Sequence, residues 1–518
     1  MDEQQLVKLY MELTGTPEQT ARNVFMMVCC PNQHHEERPT AMPDHRLSNG
    51  ENKPNPPAMR RPFPGAALFV GLLMFCWPPV PVHAVESFAG PQAPQPFGSP
   101  LSLADAINLA LHQSPSVLRA QKALEASQGI VIQTRAIALP GVTLNGSYGR
   151  VQRTDVDVVE APGITFGTPQ NWSSQVKLIQ SLYQGGRILS GLRAAQLTKQ
   201  QAVLSYQTAL SDTVLAVQLA YYDVLLAAQQ IIVQEASVAL LTNELTDTTR
   251  RFDAGTVPRF NVLRAEVELA NARPKLITAR NSLRISKNNL ANVLGLNVPP
   301  GTFEDIPLKL SGRLEAEAFE LELPRAIELA LEQRTELGVL RKAEALRKED
   351  VIVARAGYKP VLQGYVGYDL HNSILNSDLT TTDYGWIAGA QLSWNLFDGL
   401  RTQGRVKEAA ANYERAGIDV DDKRRSIELE VRTAYSNFIE AREVLESQKK
   451  VVEEAEEALR LARARSEAGT GTQLDVLSAQ TALTEARTTQ VQALHDYETA
   501  RARLQRTIGM NVPGEMAK

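Results

Sequence analysis

The chain is 518 residues long, enough for several domains or one large duplicated unit. Hydrophobic residues make up 43% and charged residues 22%, and the net charge of −4 offers no basic surface for nucleic acid. Aromatics are only 6%, which suits Ala/Leu-rich helices better than a large compact core.

The N-terminal region reads as a leader. Met59-Arg60-Arg61 is a short basic start, and Ala66–Trp77 is apolar apart from Gly71. Val82-His83-Ala84 then gives a small-x-small cleavage site before Val85. That order predicts a secretory signal peptide over 59–84, and its 12-residue apolar run is too short for a mature membrane span. Residues 1–58 are expected to be an upstream extension from a start assigned too early, without a role in the mature protein. They carry His34-His35-Glu36-Glu37 and the adjacent pair Cys29-Cys30, which is not the CxxC spacing of a metal site. Together with Cys76, whose preceding Leu73-Met74-Phe75 fits lipid attachment poorly, these are the three cysteines of the chain. A mature chain from Val85 has none, as suits an oxidising compartment.

After a Pro-rich linker (85–100) the sequence repeats itself. Leu103–Leu111 matches Leu323–Leu331, and Pro140 matches Pro360, at an offset of 220. From Leu182-Tyr183-Gln184-Gly185 against Leu396-Phe397-Asp398-Gly399 onward the offset is 214, and it persists to Leu294-Gly295 against Ile508-Gly509. The expected organisation is a first repeat at 101–300, an inter-repeat linker at 301–320, a second repeat at 321–512 and a tail at 513–518.

Each repeat is expected to hold one hairpin. In the first, 142–151 pairs with 172–182. In the second, 361–368 pairs with 386–396 across the loop Asp369–Asp383. Trp386, Ala388, Ala390, Leu392, Trp394 and Leu396 share one face, with Ile387, Gly389, Gln391, Ser393 and Asn395 on the other. Trp386 and Trp394 would stand about 26 Å apart along a strand. An outer-membrane barrel has an apolar band about 25 Å tall edged by aromatics. Trp172, Trp386 and Trp394 are therefore the candidate interface aromatics. Two hairpins leave open edges, which lipid does not tolerate, and known barrels start at about eight strands. Several copies must share one barrel, and three would give about twelve strands.

A long helix follows each hairpin. From Val406 to Ala462 the positions that step by four and three are apolar or small except Arg424 and Gln448. Gly399 to Gly469 would span roughly 100 Å as a helix. Its counterpart lies between Gly185 and Gly255, with Gln234 in register with Gln448. The return helices carry the same period with alanines, and Pro274 is expected to kink the first of them.

These features resemble the TolC-like outer-membrane efflux family. The carriers are the duplication, the opening Ser102-Leu103-x-x-Ala106-Ile107-x-x-Ala110-Leu111, and the hairpin exit Leu396-Phe397-Asp398-Gly399. Most specific are the two helical turns at 251–263 and 465–477. The resemblance covers about 100–512. It implies a mainly α fold with a membrane β-barrel: a duplicated unit of long coiled-coil helices plus two β-hairpins, forming a trimeric 12-stranded barrel on an α-helical tunnel. It also implies a homotrimer in outer-membrane lipid, and a periplasmic adaptor and inner-membrane pump of the RND or ABC type as partners. Adaptor docking at the tips would fall to Gly255, Thr256, Val262, Leu263, Gly469, Thr470, Val476 and Leu477. The channel gate would fall to Asp475 and Asn261. In relatives a second aspartate and a basic latch accompany the position of Asp475; here those places hold Ser478 and Gly471.

No catalytic motif, Walker loop or metal spacing is present, so the expectation is a passive gated exit duct with no cofactor, not an enzyme. The alternatives are a periplasmic adaptor-like or structural coiled-coil scaffold, and a cytosolic coiled-coil protein translated from Met1.

Overall fold

The computed structural model describes residues 100–150, 170–297, 305–372 and 382–510. These belong to one unit, residues 91–518. The expected leader and extension, all three cysteines, most of the Pro-rich linker and the tail at 513–518 lie outside the described residues.

The first repeat runs β1 (Pro100–Leu101), α1 (Leu103–Gln113), α2 (Pro115–Ala136), β2 (Gly141–Arg150), β3 (Gln170–Tyr183), α3 (Arg187–Asp253) and α4 (Arg259–Leu294). The second runs β4 (Lys309–Leu310), α5 (Leu323–Gln333), α6 (Thr335–Arg355), β5 (Val361–Asn372), β6 (Thr382–Ser393), α7 (Arg401–Glu467) and α8 (Gln473–Ile508). The long helices match in length: α3 and α7 have 67 residues each, α4 and α8 36 each. At the α-helical rise α3 and α7 are each roughly 100 Å long.

The helices stand as neighbouring columns. α3 packs against α2 and α6 toward the sheet and against α4 and α8 toward the far turns, while α7 packs against α6 and α8. The heptad stripe explains the contacts. Ile427, Val431, Phe438, Leu445, Val452 and Leu459 are the buried apolar side chains of α7 and lie on the expected seam. Pro274 does not end α4, which continues through it to Leu294. Pro274 lies on the exposed side of the helix.

Two cores mark the middle of the columns, one per repeat. Ala106 and Ala110 of α1 pack with Val214, Val217 and Tyr221 of α3 and Leu290 and Leu294 of α4. Ala326 and Ala330 of α5 pack with Ile427 and Val431 of α7 and Leu504 and Ile508 of α8. Alanine lets the short helices sit close against the long ones. Ser102 starts α1 with a capping box closed by Asp105. Where α6 and α8 meet, Arg506 binds Asp212 of α3 at 2.6 Å and Glu336 of α6 at 2.7 Å, and Arg334 binds Glu336 at 3.0 Å and also Glu430 of α7. Burial pushes the Glu336 carboxyl up, but the hydrogen bonds from Arg334 and Arg506 outweigh it and hold the pKa at about 2.

The strands form one four-stranded antiparallel sheet in the order β2-β3-β5-β6. β5 reaches Asn372 and β6 begins at Thr382, so the strands invade the loop expected at Asp369–Asp383. The pairs His371–Asp383 and Asn372–Thr382 extend the ladder. At the other end β6 stops at Ser393, which leaves Trp394 and Leu396 beyond the strand.

Candidate functional site

Two places carry unusual chemistry: the sheet at one end of the columns and the helical turns at the other.

The sheet has one apolar and one polar face. Val142 and Leu144 of β2 lie opposite Leu178 and Val176 of β3; these lie opposite Val366 and Tyr368 of β5, which face Ala388 and Trp386 of β6. Leu362 opposite Leu392 continues the band. The other face carries Thr143, Asn145, Gln175, Lys177, Asp369 and His371, in line with the pleat. There His371 lies 3.3 Å from Asp369 and 3.9 Å from Asp383. An apolar stripe this continuous fits lipid, and the polar face fits water.

Aromatics edge the apolar band. Tyr148 opposes Trp172, and Tyr368, Tyr384 and Trp386 cluster on β5 and β6, with Trp386 78% exposed. Trp394 sits at the opposite end and donates its indole N–H to the Tyr358 carbonyl at 3.1 Å. Tyr148, Tyr368 and Tyr384 were not singled out in sequence. The signal available was their even spacing with the tryptophans on one strand face.

At the far end each long helix closes on the same motif. Gly255 and Gly469 both take φ of +74°, a left-handed conformation that glycine adopts without a Cβ penalty. Gly255 N–H donates to Phe252 O and Thr256 N–H to Arg251 O; Gly469 N–H donates to Ser466 O and Thr470 N–H to Arg465 O. Both are Schellman caps.

The return helices then start differently. α4 begins after Pro258 with no side-chain cap, and Asn261, half-buried, lies in its first turn. α8 begins with a capping box: Thr472 N–H and Oγ1 both donate to Asp475 Oδ2, at 2.9 and 2.8 Å, and Asp475 N–H donates back to Thr472 Oγ1. The exposed Asp475 carboxyl is held below the usual aspartate range, first by the Thr472 backbone bond and then by its hydroxyl. Gln473 reaches from α8 to Thr248 and Glu244 of α3.

The expected docking residues therefore divide. Gly255, Thr256, Leu263, Gly469 and Thr470 are exposed, and Val262 is half-buried. Val476 and Leu477 are instead inside the protomer, 2% and 4% exposed. Val476 packs with Leu459 and Leu483, and Leu477 with Leu241, Leu269 and Ala272. Their side chains hold the second turn onto α3, α4 and α7 and present no outer surface. Among the described residues no group of His, Cys, Asp and Glu is arranged to hold a metal ion.

A membrane-type sheet joined to helices roughly 100 Å long defines the class as a membrane channel wall with a long helical extension. Solved channels share this fold. The outer membrane protein VceC from Vibrio cholerae superposes with a TM-score of 0.66 over 79% of this chain and 96% of its own, at 19% identity. The outer-membrane channel OprN gives a TM-score of 0.66 over 79% and 89%, at 20% identity. The outer membrane efflux protein family model matches residues 106–296 and 326–510, and the chain belongs to that family. Among curated relatives, the outer membrane protein TolC of Vibrio cholerae serotype O1 is 26% identical across 79% of this chain and 90% of its own length. The alkaline protease secretion protein AprF of Pseudomonas aeruginosa is 26% identical across 78% and 83%. The protein is thus an outer-membrane efflux channel component with its helical part in the periplasm.

Proposed function

We propose that three copies of this chain close one 12-stranded barrel and one helical tunnel, a passive exit duct that takes cargo from an adaptor-bound inner-membrane pump. One observation carries the reading: among the described residues β2 and β6 are each paired on one side only, while an apolar band crosses all four strands. Such edges are not tolerated in lipid, where each unmet backbone group costs several kcal/mol, so β6 of one copy must meet β2 of the next. Closure with three copies supplies 12 strands, an even number above the roughly eight-strand minimum. The experiment is the mass of the detergent-extracted protein. A trimer is expected, and a bilayer-spanning monomer would overturn the reading.

The tips are the pump side of the duct. Gly255, Thr256, Val262, Leu263, Gly469 and Thr470 form the adaptor-facing surface. Asn261 and Asp475 would ring the entrance, Asp475 with Oδ2 engaged by Thr472. Three carboxylates near one axis attract cations and repel one another. Asp475→Ala is expected to raise single-channel conductance or weaken block by divalent cations, and unchanged traces would remove Asp475 from the gate. The cargo is chosen upstream. The relatives' names extend from protease secretion to cobalt-zinc-cadmium resistance, so the fold itself does not fix the cargo.

A further inference from the structure

Between the tip and the middle of the columns, α8 lies against α3 and α4, and the packing there turns polar. A cavity of about 60 Å³ is lined by Gln234 and Ser237 of α3, by Gln480 and Thr484 of α8, and by Glu268, Asn271 and Lys275 of α4. Gln480 is 3% exposed, and neither its Nε2 nor its Oε1 has a protein partner; the buried Gln234 Oε1 also has none. The nearby hydroxyls are already engaged. Thr484 Oγ1 donates to the Gln480 backbone carbonyl at 2.9 Å and lies 3.2 Å from Ser237 Oγ, while Thr481 Oγ1 donates to Leu477 O at 3.0 Å.

Buried amide groups are seldom left unmet, because desolvation without a partner is costly. The missing partner has a defined chemistry. It must donate to two carbonyl oxygens and accept from one amide N–H. A cation satisfies only the oxygens and an anion only the N–H, whereas water does both. A cavity of this size exceeds the roughly 10–15 Å³ that one water needs.

We propose that this cavity is an internal water site that bridges Gln234 of α3 to Gln480 of α8. Water-mediated bonds exchange partners without exposing apolar surface. The adjoining cluster of Leu241, Leu269, Ala272 and Leu477 is apolar, so the polar layer is confined to the cavity. Every residue involved lies within one protomer, so the inference stands apart from the trimer reading.

The test is a structure of the full chain at a resolution that shows ordered water, with hydrogen exchange of wild type, Gln480→Leu and Gln480→Met. Density is expected within hydrogen-bonding distance of Gln480 Nε2 and Gln234 Oε1. Amides at 476–488 are expected to exchange about ten-fold more slowly in both variants, because the layer is then dry. A dry wild-type site with both glutamines paired to protein would overturn the proposal. So would exchange that is unchanged or faster in both variants.

Discussion

The two helical turns are copies of one template, yet one is fastened and the other is not. Both close on a left-handed glycine with the same pair of backbone bonds. Beyond the glycine, the second turn adds the Thr472–Asp475 box, the Gln473 reach to α3, and two buried side chains, Val476 and Leu477. The first turn offers Pro258 without a cap, and exposes Phe260 and Leu263. The backbone path is the same at both turns while the side chains differ, so that one tip is anchored within the protomer while the other keeps its apolar groups outward.

The sharpest way to break this comparison is truncation at matched positions. Leu477→Ala should lower stability by about 2–5 kcal/mol, as a buried leucine does, whereas Leu263→Ala should change it by less than about 1 kcal/mol. The denaturant midpoints of the two variants decide this, and equal shifts would erase the distinction. A smaller effect is expected at the caps. Thr472→Ala should loosen the start of α8 by about 1 kcal/mol, while the double change Pro258→Thr and Asn261→Asp should protect the start of α4. Hydrogen exchange at each turn reads both. The smallest effect is in pH. The folded pKa of Asp475 is depressed, so its stabilisation is present above the ordinary value of 3.8 and is lost as pH falls through the folded value. Asn261 does not titrate, so exchange at the second turn should rise relative to the first in acid, and a constant ratio would contradict the cap assignment.

Much of this architecture could be read from the residues. The seam from Ile427 to Leu459 was legible because a buried stripe of seven-residue period tolerates few polar groups. The ends of β5 and β6 were not, because Asp369, His371, Asn372, Thr382 and Asp383 are polar on both faces and alternation fails there. Leu477 and Gln480 were also opaque. The heptad of α8 follows its contact with α7, and neither residue lies on it; both are buried because α8 has a second neighbour, α3. Val476 sits where the family pattern marks a docking residue, yet it is buried, since a motif reports position and not the direction of a side chain. The bond from Gln473 to Thr248 joins residues 225 apart in sequence, a separation no local pattern spans.

The columns differ in continuity. α3 and α7 run from the sheet to the turns without interruption, whereas the columns beside them are each made of two helices placed end to end, as α6 and α8 are at Glu336. Unbroken rods cannot shorten, so α3 and α7 fix the distance between the sheet and the turns.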